Sequence, residues 1–326
     1  MWWQWIAERI TLGLHIPDGF LHAPVALLWW LPTVIAVGVA TRAVRQSLDD
    51  RAVPLMGVMA AFIFAAQMLN FPIAGGTSGH VLGGAFAAIV LGPWAGMIVM
   101  TCVIALQAIL FQDGGIVAMG ANIFNMGIAT AAIGGWIARP LLTRNGSFTT
   151  NRLWIAMVTA GAGWLSVMAA AALTSAQLVL SDLPAAIVFP AMLGVHAVIG
   201  IGEGLITAAA VLFLVTTRPD LIQANAPAGT SGARVAVIGL IIAAVTAAFA
   251  PLASPDPDGL ERIAEDVGFI ERATDAPYHM LPDYTIPWLG ETPLSTILAG
   301  LIGVAVMIGL IWVIAALLRS RPPARS

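Results

Sequence analysis

The chain has 326 residues, 59% of them hydrophobic and 10% charged, with a mean hydropathy of +0.92. A water-soluble domain of this length does not have that composition, and several apolar runs exceed the roughly 18 residues needed to cross a bilayer, so the chain reads as a polytopic membrane protein. All 14 basic residues are arginine against 17 acidic ones, and without lysine no Walker A loop can form, so any ATP-driven work must fall to other subunits. The single cysteine, Cys102, lies inside an apolar run and supplies neither a disulfide framework nor a thiolate cluster. H-E-x-x-H and G-x-S-x-G are both absent, which weakens the main enzyme readings.

Residues 1–13 carry Trp2, Trp3 and Trp5 around Glu8 and Arg9, too short and too charged for a secretory signal. In Leu14-His15-Ile16-Pro17-Asp18-Gly19-Phe20-Leu21, Pro17 and Gly19 prevent a helix from continuing, so His15 is presented on irregular backbone just before the first long apolar run. Nine apolar segments follow, near 24–41, 54–70, 78–91, 93–111, 117–138, 153–180, 185–216, 234–252 and 294–318. The third is short and broken by Gly92-Pro93, and is expected to be re-entrant or only partly spanning. Arg42, Arg45, Arg51, Arg139, Arg144, Arg152, Arg218, Arg234, Arg319, Arg321 and Arg325 all fall on one side if the start is outside. The positive-inside bias then predicts an extracytoplasmic N-terminus and a cytoplasmic C-terminus in the cell membrane.

The loop 253–293 holds nine carboxylates against Arg262 and Arg272, and a short helix is expected around 259–271. Arg218-Pro219-Asp220 and Ala228-Gly229-Thr230-Ser231-Gly232 mark a cytoplasmic linker over 218–233. The fold expectation is therefore an all-α membrane protein: a bundle of about seven segments over 14–217, then a two-span module over 234–326 with an acidic outer loop.

On this topology His15, His22, His80 and His279 lie outside and only His196 lies within a span. His80 sits in Gly75-Gly76-Thr77-Ser78-Gly79-His80-Val81-Leu82-Gly83-Gly84, where glycines let backbones approach closely. Histidines converging without cysteines suit a borderline divalent cation such as nickel, cobalt, copper or zinc. Asp18, Asp113, Asn122 and Asn125 are candidates to orient ligands from behind, or else to cap turns and bridge helices. His196 and Glu203 share a helix face, and a structural or partner-coupling role is expected for them.

Leu14–Leu21 resembles the amino-terminal Met-His-Ile-x-x-Gly-Phe/Tyr-Leu signature of the CbiM/NikM family. The likeness continues in order through Ser78–Gly84, Leu91–Met97, Gln107–Gly115, Gly120–Gly127 and His196–Thr207, and covers roughly 14–217. Residues 234–318, with Ser254-Pro255-Asp256-Pro257-Asp258-Gly259-Leu260-Glu261, resemble the PDGLE or CbiN/NikN-type companion subunit. The resemblance implies the substrate-binding component of an energy-coupling factor importer for Co(II) or Ni(II), of the kind linked to cobalamin biosynthesis. It implies a CbiQ/NikQ-type membrane coupling subunit and CbiO/NikO-type ATPase subunits as partners, and no nucleic acid. The metal would be held by the imidazoles of His15 and His80, the His15 amide nitrogen and the nitrogen of residue 14.

This sequence departs from the family at that last atom, because Leu14 replaces methionine and its nitrogen lies in a peptide bond. Processing or a later translation start would free it; otherwise His22 or a carboxylate would take the fourth position. Two rival readings are a membrane-embedded metalloenzyme and a vitamin-binding component of the same transporter class.

Overall fold

The computed structural model describes residues 15–47, 52–144, 147–222 and 232–319. Leu14, the N-terminal extension, most of the linker and the C-terminal arginines beyond Arg319 lie outside the described residues. The architecture is helical: α1 Ala23–Ser47, α2 Ala52–Gln67, α3 Gly84–Leu91, α4 Pro93–Phe111, α5 Met119–Leu142, α6 Arg152–Val179, α7 Ala185–Thr217, α8 Gly232–Ala248, α9 Gly259–Val267 and α10 Pro293–Arg319. Among the described residues, sheet is confined to two antiparallel strand pairs, β1 Phe71–Ile73 with β2 Thr77–Gly79, and Thr143–Arg144 with Ser147–Phe148. Six of the helices are long and apolar enough to cross a membrane. Helices close their backbone hydrogen bonds internally, which hydrocarbon demands, and the apolar side chains they expose, such as Leu27, Leu28, Leu31 and Ile35 on α1, suit lipid.

The third apolar segment is where the expectation of a partial span meets its physical reason. At 8 residues α3 covers only about 12 Å, well short of a bilayer core. It is reached through non-helical residues 81–83, with Gly83 left-handed at φ 76°, and its C-terminal Gly92 lies beside the Arg139 guanidinium near the far end of α5. The freed N–H groups of Leu82 and Gly83 donate to the two carboxylate oxygens of Glu203 on α7, at 2.8 and 3.0 Å. Gln67 donates to the Leu82 carbonyl at 2.8 Å. A broken crossing is tolerated because α7 and α2 supply the partners it lacks.

The last two long helices, α8 and α10, pack on α2. Gly239 leaves no room for a Cβ against Val58, and Gly303 none against Phe64, so small residues set how closely these helices approach. The loop between them folds back over the bundle as α9, which spans Gly259–Val267 within the stretch expected to be helical. The Asp258 side chain caps it by accepting from Glu261 N–H at 2.7 Å, and Gly268 ends it at φ 83°. A small apolar core forms there: Ile16, Phe20 and Leu21 pack with Leu178 of α6, Val188 and Met192 of α7, and Leu260, Ile263 and Phe269 of the loop.

Candidate metal centre

The segment after His15 is gripped from two sides. Asn122 of α5 accepts the Ile16 N–H and donates to the Ile16 carbonyl, both at 3.0 Å, and Gly115 N–H donates to that carbonyl as well. Asp18 accepts from Ile116, Val117 and Ala118 N–H at 2.9, 3.2 and 2.9 Å, gathering the backbone donors that lead into α5. Its own carbonyl accepts Thr274 N–H at 2.8 Å. Gly19 has φ 92° and a Cβ there would strike the Arg272 carbonyl, so only glycine fits where the loop between α8 and α10 crosses.

His15 is 1% exposed, and its Nδ1–H donates to Asp113 Oδ1 at 2.6 Å. The other oxygen of Asp113 accepts the Tyr284 hydroxyl at 2.5 Å, and the Tyr284 oxygen accepts from Gln107 Nε2 at 3.1 Å. Burial opposes a charge on Asp113, but His15 beside it and the hydrogen bonds from His15 and Tyr284 hold its carboxyl below the usual carboxylate range. With Nδ1 committed, His15 Nε2 is buried without a hydrogen-bond partner. Buried polar atoms are rarely left so, and an imidazole fixed by a carboxylate behind it is a common metal ligand.

His80 follows the β1–β2 hairpin and faces His15, with ring centroids 5.9 Å apart and planes tilted by 35°. Its Nδ1 lies 3.1 Å from the Val81 carbonyl, which leaves Nε2 available. Burial pushes its pKa down to about 4, helped by His15 nearby, so the ring is neutral and its lone pair free at ordinary pH. Both histidines line a cavity of about 60 Å³ between α5, α6, α7 and the start of α9.

His196 lines the same cavity, contrary to the sequence reading that set it apart from the outer loops. Its Nδ1 is 2.7 Å from the Met192 carbonyl. The segment ending at His80 descends to meet α7, which no apolar pattern announces. Asp258 and Gly259 close the cavity from the C-terminal module. Among the described residues no three histidine, cysteine, aspartate or glutamate side chains already surround one point as a ligand set. What is assembled is a pair of imidazoles beside open space.

Of the residues expected to stand behind the ligands, Asp113 touches His15 and Asn122 holds the adjoining backbone. Asp18 anchors the 116–118 backbone and meets no histidine. Asn125 lines the cavity but bonds to Gln177 and Thr174 of α6, at 2.7 and 3.1 Å. His22 stands apart near Asp182, at 3.6 Å, and His279 is exposed. Gln107, Tyr284, His196 and Asp258 are the residues that sequence reasoning did not place here. Gln107 lay within a quoted motif, whereas Tyr284 carried no signal beyond being one of 2 tyrosines.

Residues 15–221 match the family described as the cobalt uptake substrate-specific transmembrane region, and residues 233–320 match the PDGLE domain. A homologue in Archaeoglobus fulgidus is 35% identical over 91% of this chain and 96% of its own length. A fused nickel transport protein, NikMN, from Rhodobacter capsulatus is 31% identical over 90% of this chain and 95% of its own. A solved structure described as a truncated transition metal transporter superposes with a TM-score of 0.54 at 33% identity, over 62% of this chain and 98% of that one.

Proposed function

The chain belongs to the CbiM family of cobalt and nickel transport proteins and carries a PDGLE domain behind it, and from that premise we propose that it captures Ni(II) or Co(II) as cargo at the extracytoplasmic face and passes it inward. The observation that carries the reading is the buried, unpartnered Nε2 of His15, on a residue that lines the same cavity as His80. Two imidazoles without thiolates suit borderline divalent ions and give little to Ca(II) or Mg(II), which want oxygen.

The orientation rests on arginine placement. The ends of α1, α5, α6 and α7 remote from the histidines carry Arg42 and Arg45, Arg139, Arg152 and Arg218, which favours that end as cytoplasmic. With no lysine for a Walker A loop, energy would come from separate CbiO/NikO-type ATPases through a CbiQ/NikQ-type membrane subunit, as in an energy-coupling factor importer.

The remaining ligands depend on the chain terminus. A metal held by both the amide and the ring of one histidine must use Nδ1, because Nε2 points away from its own backbone. Asp113 occupies that nitrogen, so the geometry favours Nε2 of His15 and Nε2 of His80 as the entry pair. The planar four-nitrogen set would require His15 to leave Asp113 and the nitrogen of Leu14 to be a free amine. Intact mass of the native protein decides the second condition: a mass including residues 1–13 rules that set out.

The rivals fare worse. A vitamin needs a pocket of roughly 300 Å³ or more, whereas the cavity holds about 60 Å³. A metalloenzyme would need a free general base, and both oxygens of Glu203 are taken by backbone donors. The test is metal accumulation by cells carrying the full chain with its partner subunits. His15→Ala and His80→Ala are each expected to reduce nickel and cobalt accumulation to background; unchanged accumulation in both overturns the reading.

A further inference from the structure

His196 is the one histidine inside a long apolar helix, α7, where an ionisable ring is costly and calls for a function. Its Nδ1–H donates to the Met192 carbonyl one turn away at 2.7 Å, which leaves the Nε2 lone pair unused by the helix. His80 has the same arrangement, with Nδ1 turned to the Val81 carbonyl. A backbone carbonyl behind one ring nitrogen is a common way of presenting the other to a metal. The chain around His80 is pinned along one face of α7. A Cβ at Gly79 would come within 2.8 Å of Ile199 Cγ2, and Leu82 and Gly83 donate to Glu203, so residues 79–83 run beside the row His196, Ile199, Glu203. His80 and His196 then line one cavity of about 60 Å³, room for a few waters at roughly 10–15 Å³ each. Asp258 brings a carboxylate to its wall, and a Cβ on the adjoining Gly259 would come within 3.0 Å of His196 Cε1.

We propose that His80 and His196 form a second, weaker holding position for the transported ion, binding Ni(II) or Co(II) through both Nε2 atoms and water without His15. This deepens the metal-site reading above and rests on it. Imidazole nitrogens completed by water suit a borderline divalent ion. Two protein ligands make an incomplete set, and a cargo ion must at some point be held weakly enough to leave. The His15 ring stands 5.9 Å from that of His80, so His80 is common to both positions and an ion can exchange His15 for His196 without leaving it.

The test uses the full chain in detergent, free of any histidine tag and with the exposed His22 and His279 replaced by glutamine, and Cu(II) as a paramagnetic probe. In this background His15→Ala is expected to keep one Cu(II) with coupling to two nitrogens, at lower affinity than the parent. His196→Asn retains a donor for the Met192 carbonyl and removes the ring. Adding it to His15→Ala is expected to abolish the signal at unchanged Tm, as is adding His80→Ala. His196→Gln, which puts an amide where Nε2 stands, is expected to abolish it as well. A His15→Ala protein that binds no Cu(II), or whose binding survives both changes at His196, overturns the inference and leaves the metal-site reading standing. Parent-like affinity in His15→Ala overturns both.

Discussion

Glu203 lies midway along α7 and spends both carboxylate oxygens on the N–H groups of Leu82 and Gly83, where the third segment has no helix to satisfy them. A leucine at 203 would strand two buried donors at about 1–3 kcal/mol each, whereas glutamine keeps one acceptor. Glu203→Leu is therefore expected to lower Tm in detergent by far more than Glu203→Gln, and equal Tm values for the two would show that the carboxylate does not hold this break. The sequence announces an intramembrane carboxylate as exceptional but does not announce its partner, because the partner is backbone 120 residues away. His15 and His80 were legible for the opposite reason: Pro17, Gly19 and the glycines around His80 mark irregular backbone locally. Asp113 came with a motif. Tyr284 did not, since its hydrogen bond spans 171 residues and nothing in an acidic loop distinguishes a tyrosine aimed inward.

Helix α9 is anchored by one buried carboxylate. Burial pushes the Asp258 pKa up from 3.8 to about 6, against hydrogen bonds from Glu261 and Leu260 that favour the charge. A raised carboxyl pKa means that the folded state holds the proton more tightly than the unfolded one. Its contribution to stability is fully present below about pH 4 and is lost as pH rises through 6. At about 1.4 kcal/mol per unit, the swing is on the order of 3 kcal/mol. Asparagine also caps a helix and carries no charge. In metal-free protein, Asp258→Asn is thus expected to be more stable than the parent at pH 7.5 and to lose that advantage as pH falls to 4, read as the difference in Tm. A constant difference across that range would mean that Asp258 is not a buried titrating cap. The helix itself was readable from composition and its Asp-Gly start, as were the long spans from their apolar runs. The broken third segment was readable only as a short run with Gly92-Pro93 after it, because the non-helical lead-in depends on what α2 and α7 offer.

At the scale of the whole molecule, two units meet along a seam of helices and over a cap of loops. The seam is α2 against α8 and α10, with Gly239 and Gly303 at the tight points; the cap joins Asp18 to Thr274, Ser78 to Pro257 and Asp113 to Tyr284. A protease site placed in 223–231 is expected to yield two pieces that still elute together in detergent. Gly303→Leu, which drives a side chain into Phe64, is expected to let the cut pieces separate, and co-elution of that variant after cleavage would place the holding energy in the cap alone. The seam was only partly legible: small-residue runs signal close helix packing without naming which helix is met. Covalent continuity has a further consequence. A short tether gives the C-terminal module a local concentration on the order of millimolar at its dock. Were the same two units separate polypeptides, the hydroxyl behind Asp113 would be present only as often as both were made and met. In one polypeptide its dosage is fixed at one per histidine pair, and neither dilution nor unequal synthesis can part the two units.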